Sequence, residues 1–460
     1  MKRVSIMLLS FLYSWLGIGQ TAKKNTNIGY TYPTANGVWH FVRHSTTVLK
    51  CVYTPANYTR NEFLGDAVFT TKMAADSLVV VQDGNSTKLV WDEFSVELKN
   101  NTATLSTGLK ITPVADNDMN GFQFSLSKDE QIFGGGSRAL PLNRRGYQFL
   151  LNNAPRYGYE NGAENLNYSV PFFTSNLGYG LLFDNGSKGM VDIGKTKNNA
   201  FTYLAASGEI NCYIILENSP KNVLKKYHEL TGTQPLLPKW AWGNFMSRFG
   251  YVSDTQVREI AKGMEDAGIP YDAIIYDLFW FGDSIQRTLG NLDWVNKTAW
   301  PNPAKLIQDF KKKNIQSILI TEPFSLKNTR SFARFQPYLV KDNNGKPYAL
   351  KDFYFGEGGL IDMFYKPAQD HFFSYYQKQN KLGVAGWWGD LGEPENHPDD
   401  GYHTISHLPH SRQFAGYEVH NLYGHTWTKM LFQQYAKHYP NTRLFSLNRS
   451  GFAGTQRYGI

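Results

Sequence analysis

The sequence predicts a multidomain β plus α/β fold, an amino-terminal antiparallel β-sandwich followed by an incomplete (β/α)8 TIM barrel. Three observations carry this expectation. From about Asn27 to Ile215, short apolar or alternating runs are broken by Gly, Asn and Asp, as in Ser77 to Val81, Leu89 to Phe94 and Tyr179 to Asp184. That is the pattern of antiparallel strands joined by tight turns. The proline-spaced stretch Gln234-Pro235-Leu236-Leu237-Pro238 then marks a boundary, and beyond it strands alternate with helices as in parallel βα units.

A chain of 460 residues is long enough for at least two units with their own cores. The expected division is a leader at 1–20, a sandwich domain at 21–236 and a partial barrel at 237–460. In the leader, Lys2 and Arg3 precede an apolar stretch from Val4 to Leu16 and small residues at Gly17 and Gly19, the composition of a secretory signal. The expected location is therefore secreted or periplasmic. No Cys follows the leader, which argues against a lipid anchor. Cys51 and Cys212 have two readings, a disulfide or two buried small hydrophobes.

Taken in order, a helix over Pro220 to Leu230 closes the first domain. The second starts with a strand near Trp242 to Ser247 and a helix from Asp254 to Ala267 capped by Ser253. A strand at Ala273 to Tyr276, a helix at Pro303 to Lys313 and a strand at Ser317 to Thr321 follow. A helix at Pro367 to Gln379, a strand at Val384 to Gly389, a helix at Leu422 to His438 and a strand at Leu444 to Asn448 complete the series. Five strands cannot close an eight-stranded barrel, so the chain reads as the front part of a longer protein.

Composition narrows the function. The formal charge of +8 is scattered, with no run of Lys and Arg interleaved with aromatics, so no nucleic-acid partner is expected. The leader is too short to be a comfortable span, and no membrane partner is expected either. The 11 Trp, 28 Tyr and 30 Phe suit carbohydrate, whose C–H faces stack on aromatic rings, although ordinary cores use the same residues.

Chemistry concentrates at strand ends. Asp390 ends the apolar stretch Gly386-Trp387-Trp388-Gly389, Asp277 follows Ile274-Ile275-Tyr276, Glu322 follows Ile318-Leu319-Ile320-Thr321, and Arg449 follows Leu444 to Asn448. Carboxyl ends of parallel barrel strands converge on one rim, so these four side chains are expected around one hollow. Glycines at Phe133-Gly134-Gly135-Gly136 are not read as a phosphate loop, because no Lys-Ser/Thr follows and no helix opens there.

The stretch Trp388-Gly389-Asp390-Leu391-Gly392-Glu393 resembles the nucleophile signature of glycoside hydrolase family 31, Trp-x-Asp-Met-Asn-Glu, with Leu391 and Gly392 replacing Met and Asn. Pro238 to Tyr251, Ile269 to Trp280, His420 to Gly424 and Arg449 to Tyr458 are similar to further family segments, in the family's order. Upstream, Phe133 to Gly146 and Tyr168 to Phe172 resemble its galactose-mutarotase-like sandwich.

The resemblance implies a retaining α-glycosidase that acts on α-glucosides or oligosaccharides through a covalent intermediate, with α-glucosyl transfer as a variant outcome. Alternatives are an α-xylosidase or α-galactosidase of the same family, or a non-catalytic carbohydrate-binding fragment. Asp390 is implied as nucleophile, with Glu393 beside it supporting catalysis from a first helical turn or acting as a capping acid. Asp277 and Arg449 are implied to hold sugar hydroxyls, with Arg449 also keeping Asp390 ionised. Glu322 is read as a wall of the site or a strand-end acid. Trp280, Phe355 and Trp388 are read as stacking surfaces or core. The family's acid/base lies in a Trp-x-Gly-Asp element after the Arg449 to Tyr458 segment, and is expected beyond Ile460. No cofactor is implied. His397, His403, His407 and His410 are weighed as zinc ligands, but their spacing favours a rim loop, and no metal is expected. The one partner expected is an oligosaccharide substrate.

Overall fold

The computed structural model describes residues 23–25, 29–70, 78–91, 94–406 and 412–460. The leader expected at 1–20 lies outside them, as do His407 and His410.

The first part is a sandwich of a ten-stranded and a seven-stranded sheet. All their neighbouring strands run antiparallel, for example Lys110–Asp116 with Met119–Ser125 and Val48–Pro55 with Ile210–Leu216. Alternation along each strand sends one set of side chains inward, where Trp39, Phe122, Phe124, Phe183 and Phe201 fill the space between the sheets. Cys51 and Cys212 face each other across two of these strands; both thiols are free and buried.

The sandwich strands end at Leu216. Helix α1 (Pro220–Thr231) follows, its start set by Ser219 accepting from the Asn222 backbone and by Pro220. Five parallel strands then form one sheet in sequence order: β1 (Phe245–Ser247), β2 (Ala273–Tyr276), β3 (Gln316–Thr321), β4 (Gly386–Gly389) and β5 (Ser446–Asn448). Between them lie α2 (Asp254–Asp266), α3 (Pro303–Lys312), α4 (Lys366–Asn380) and α5 (Tyr423–His438). The sheet is an incomplete barrel within these 460 residues. At its last strand, Ile460 accepts from Asn448 N and donates to Ser446 O, a bridge parallel to β5. Among the described residues no helix is long and apolar enough to cross a membrane.

Some boundaries differ from expectation. Leu89 to Phe94 is not one strand: it ends at Val90, and a turn from Trp91 N to Phe94 O reverses the chain. Both rings of that turn are buried in the sandwich core, 5.1 Å apart, so apolar content there marks an inward-folded corner. The first barrel strand starts at Phe245, because Lys239–Trp242 coil into a short 3₁₀ turn.

The two domains are joined by buried and half-buried polar contacts. Asp66 of the sandwich receives Lys429 Nζ at 2.5 Å, and Arg457 Nη1 donates to Ala67 O at 2.6 Å. Asn421 Nδ2 donates to Leu151 O and Ser187 O. A chain of imidazoles lies beside it: Asp362 Oδ1 to His403 Nδ1 at 2.8 Å, His403 Nε2 to His397 Nε2 at 2.7 Å, His397 Nδ1 to His420 Nδ1 at 2.8 Å, and His420 Nε2 to Asn153 O at 2.6 Å.

Candidate active site

The strand pleat explains how the polar residues meet. Ala273, Ile275, Ile318, Phe445, Trp388 and Leu447 pack together inside the curve of the sheet. Because side chains alternate, residues an even number of places further on face the same way. Asp277, Glu322, Asp390 and Arg449 all have that parity, and each stands just past the end of its strand. Trp387, of opposite parity, points to the helices, where its Nε1 donates to Tyr435 Oη at 2.6 Å.

Asp390 is placed by the backbone on both sides. Its N donates to Thr321 O at 2.9 Å, and the next residue, Leu391, turns the chain sharply at φ 55°. A left-handed Leu costs about 1–2 kcal/mol; here it is held by burial of the side chain, which is 2% exposed. The two residues that depart from the family signature therefore occupy the turn itself, where Gly392 lies against the Trp427 ring.

The hollow contains acids without full partners. Both oxygens of Glu322 and Oδ1 of Asp390 are buried with no hydrogen bond. Asp277 has one, from Leu278 N at 2.7 Å. Burial pushes the Asp390 carboxyl up to about 6, against the pull of Arg449 and the Leu391 N–H, while Glu393 and Asp277 add to the rise. Burial, then the charges of Asp390 and Asp277, hold Glu322 well above the usual range. Burial also raises Asp277. The three acids stand at the ends of three neighbouring parallel strands, which brings them to one side of the sheet. A shift of about two units is about 3 kcal/mol of unfavourable placement for the ionised form.

Arg449 is the cation among them. Its Nε donates to Glu393 Oε1 at 2.8 Å and lies 3.2 Å from Asp390 Oδ1 in an ion pair that lacks hydrogen-bond alignment. Nη2 donates to Glu393 Oε2 and Glu395 Oε2, both at 2.8 Å. Burial works against its charge, but Glu393, Asp390 and Glu395 outweigh it and raise its pKa.

Several expected residues are placed differently. Glu393 is fully buried, with its oxygens taken by Arg449 and by Asn167 Nδ2 at 2.5 Å. It stands in a run of turns rather than a first helical turn, and both of its oxygens are engaged by hydrogen bonds. Trp280 is 1% exposed; its Nε1 donates to Ile320 O and its ring packs on Phe281 and Trp294, so it is core rather than a stacking surface. Trp388 is half-buried in the floor beneath Asp390. Phe355 is half-buried at the margin, reached from the β3 end through Phe324 and Phe353. Arg449 lowers the Asp390 pKa as expected, yet burial is the larger effect.

His397 and His403 belong to the buried imidazole chain. Its nitrogens are 2.7 and 2.8 Å apart, hydrogen-bond separations shorter than the about 3.4 Å that two ligands of a tetrahedral zinc would keep. Among the described residues no group of three or more His, Cys, Asp or Glu is arranged to hold a metal ion.

Two site residues were not expected. Glu395 lies two places past Glu393, inside the acidic stretch, so its signal was present in the sequence. Tyr157 comes from a sandwich loop that reaches over the barrel, and its Oη donates to Glu395 Oε2 at 2.6 Å. Nothing local to Tyr157 announces that contact.

Comparison with known proteins adds to this geometry. Residues 234–460 match the glycosyl hydrolases family 31 TIM-barrel domain, and residues 41–192 match the glycosyl hydrolase 31 N-terminal galactose mutarotase-like domain. The chain is 29% identical over 344 residues to alpha-glucosidase 2 of Bacillus thermoamyloliquefaciens, covering 72% of this chain and 43% of that protein. It is 28% identical over 350 residues to an alpha-xylosidase of Saccharolobus solfataricus, covering 73% and 43%. A family 31 dextranase of Flavobacterium johnsoniae, solved with glucose and, as a mutant, with isomaltotriose, superimposes with a TM-score of 0.85 at 27% identity, over 96% of this chain and 55% of that one. The chain thus spans about half the length of the relatives it matches.

Proposed function

The chain belongs to glycoside hydrolase family 31, and on that premise we propose that it carries the nucleophile and sugar-binding half of a retaining α-glycosidase for α-glucosides. The observation that carries the reading is Asp390: a half-buried carboxylate whose Oδ1 is covered and free of hydrogen bonds, backed by a fixed guanidinium, in a hollow lined by further acids.

In this reading an Asp390 oxygen attacks the anomeric carbon as the bond from that carbon to the leaving oxygen breaks. The electron pair goes to the leaving oxygen, which takes a proton from a general acid. Water, or another sugar hydroxyl in a transfer reaction, then displaces Asp390 and gives up its proton to the same group. With a pKa of about 6, Asp390 is mostly ionised at neutral pH, as a nucleophile requires. Asp277 and Glu322 line the wall where sugar hydroxyls are held. By resemblance the general acid belongs to a Trp-x-Gly-Asp element that in the family follows the segment matched here by Arg449 to Tyr458.

The glucoside preference draws on the alpha-glucosidase and dextranase relatives, and the alpha-xylosidase keeps α-xylosides as the sibling reading. The leader expected at Met1 to Gln20 assigns the protein, in the same reading, to a secreted or periplasmic location.

A suitable test does not depend on the general acid, because fluoride leaves without a proton. An α-glucosyl fluoride slowed by a second ring fluorine is incubated with the chain, and the expected result is one glycosyl mass added at Asp390. No labelling, or labelling that persists in Asp390→Asn, overturns the proposal. Parallel α-xylosyl and α-galactosyl fluorides rank the sugars.

A further inference from the structure

Resting on that glycosidase reading, we infer that Tyr157, carried by the sandwich domain, is a positioning and specificity residue that controls the one donor Arg449 has left for the sugar. A guanidinium has five N–H groups. The single Nε–H is spent on Glu393 Oε1, and the two on Nη2 are spent on Glu393 Oε2 and Glu395 Oε2. Only Nη1 remains. Among the described residues its one hydrogen-bond contact is the Tyr157 hydroxyl oxygen, at a long 3.4 Å, which leaves one of its two hydrogens open.

The Tyr157 hydroxyl has a single proton, and the 2.6 Å bond to Glu395 uses it. Toward Nη1, and toward anything beside Nη1, this oxygen is therefore an acceptor. A phenol, with its ordinary pKa of about 10, keeps that proton at neutral pH. Nη1 and Tyr157 Oη together present one donor and one acceptor. A sugar hydroxyl, which accepts and donates at once, satisfies both.

This arrangement also selects against charge. Arg449 is already matched by Asp390, Glu393 and Glu395, so it has no unmatched charge for a carboxylate ligand. A uronic acid would add a further anion to a hollow that holds Asp277 and Glu322 as well. The ligand class that fits is a neutral sugar presenting a hydroxyl to this pair. The ring of Tyr157 is open to solvent, the residue being 73% exposed, so changing its hydroxyl leaves the packing of the loop alone.

Tyr157→Phe in the full chain tests the inference by the labelling reaction above, read as the concentration for half-maximal labelling and as the rate at saturation. Loss of a hydrogen bond shared with a cation predicts about a tenfold rise in the half-saturating concentration, with the saturated rate within about twofold. Among glucosyl fluorides each lacking one ring hydroxyl, one loses about the same factor on wild type and nothing further on Tyr157→Phe. If wild type labels at Asp390 and Tyr157→Phe labels identically, or loses saturated rate rather than affinity, the role of Tyr157 is overturned and the glycosidase reading stands. If wild type is not labelled at all, both fall together.

Discussion

Two of the regions in which the chain buries ionisable groups treat them in opposite ways. In the imidazole chain at the joint between the domains, each ring nitrogen of His397, His403 and His420 has a partner, and Asp362 accepts from Thr404 N and Phe364 N as well as from His403. In the hollow at the strand ends, Glu322 is fully buried with neither oxygen bonded, and Asp390 keeps one free. Burying a polar group is tolerable when it is paired and costly when it is not. The joint therefore contributes to holding the fold, whereas the hollow draws on stability supplied elsewhere, which is the expected mark of a site awaiting a ligand.

Substitutions that remove charge should separate the two regions, and the largest separation is in activity. Asp390→Asn is expected to lower covalent glycosylation by at least about four orders of magnitude without lowering the melting temperature, since it removes an unfavourably placed charge. A Tm loss of several degrees in Asp390→Asn would merge the two categories. At the joint, Asp362→Ala should leave His403 unpartnered and destabilise the chain by about 3 kcal/mol in denaturant melts.

The pH dependence sharpens the contrast further. The Asp390 pKa is raised from 3.8 to about 6 in the folded chain. Its contribution to stability is thus fully present below about pH 4 and is lost as pH rises through about 6, by at most about 3 kcal/mol. Labelling runs the other way, because it needs the carboxylate: its acid limb should fall near pH 6, and a limb near pH 4 would show that Asp390 is not buried as described. The smallest effect is expected from Glu322→Gln. Since the Glu322 carboxyl is held high, the variant should be more stable than wild type at pH 8, with the gap closing toward pH 4.

The sequence made some of this legible and hid the rest for physical reasons. Strand ends at Asp277, Glu322, Asp390 and Arg449 could be read because an apolar run followed by a charge is a local signal, and parallel strands bring such ends together whatever their separation along the chain. Helix starts at Ser253 and Pro220 were legible because caps are local too. What Arg449 does with its five N–H groups was not, since its partners lie 54, 56 and 292 residues away. Trp280 follows Asp277 as a rim residue would, yet Trp294 and Phe281 cover it, and aromatic residues carry no mark that separates a platform from a core. The Trp91 and Phe94 corner misled for the same reason: apolar content shows that a residue is inside without showing which way the backbone runs.

The imidazole chain has one more consequence, which follows from counting hydrogens. The Asn153 carbonyl can only accept, so His420 must donate to it from Nε2. Burial holds His420 down to about 4, so its ring is neutral and its Nδ1 offers a lone pair. His397 must then donate from Nδ1, and its Nε2, bare in turn, requires a hydrogen from His403. That leaves His403 Nδ1 facing Asp362 Oδ1 with nothing between them. Four links need four hydrogens, and three uncharged rings supply three. While its rings are uncharged, the row that seams the two domains is therefore one hydrogen short of pairing every link.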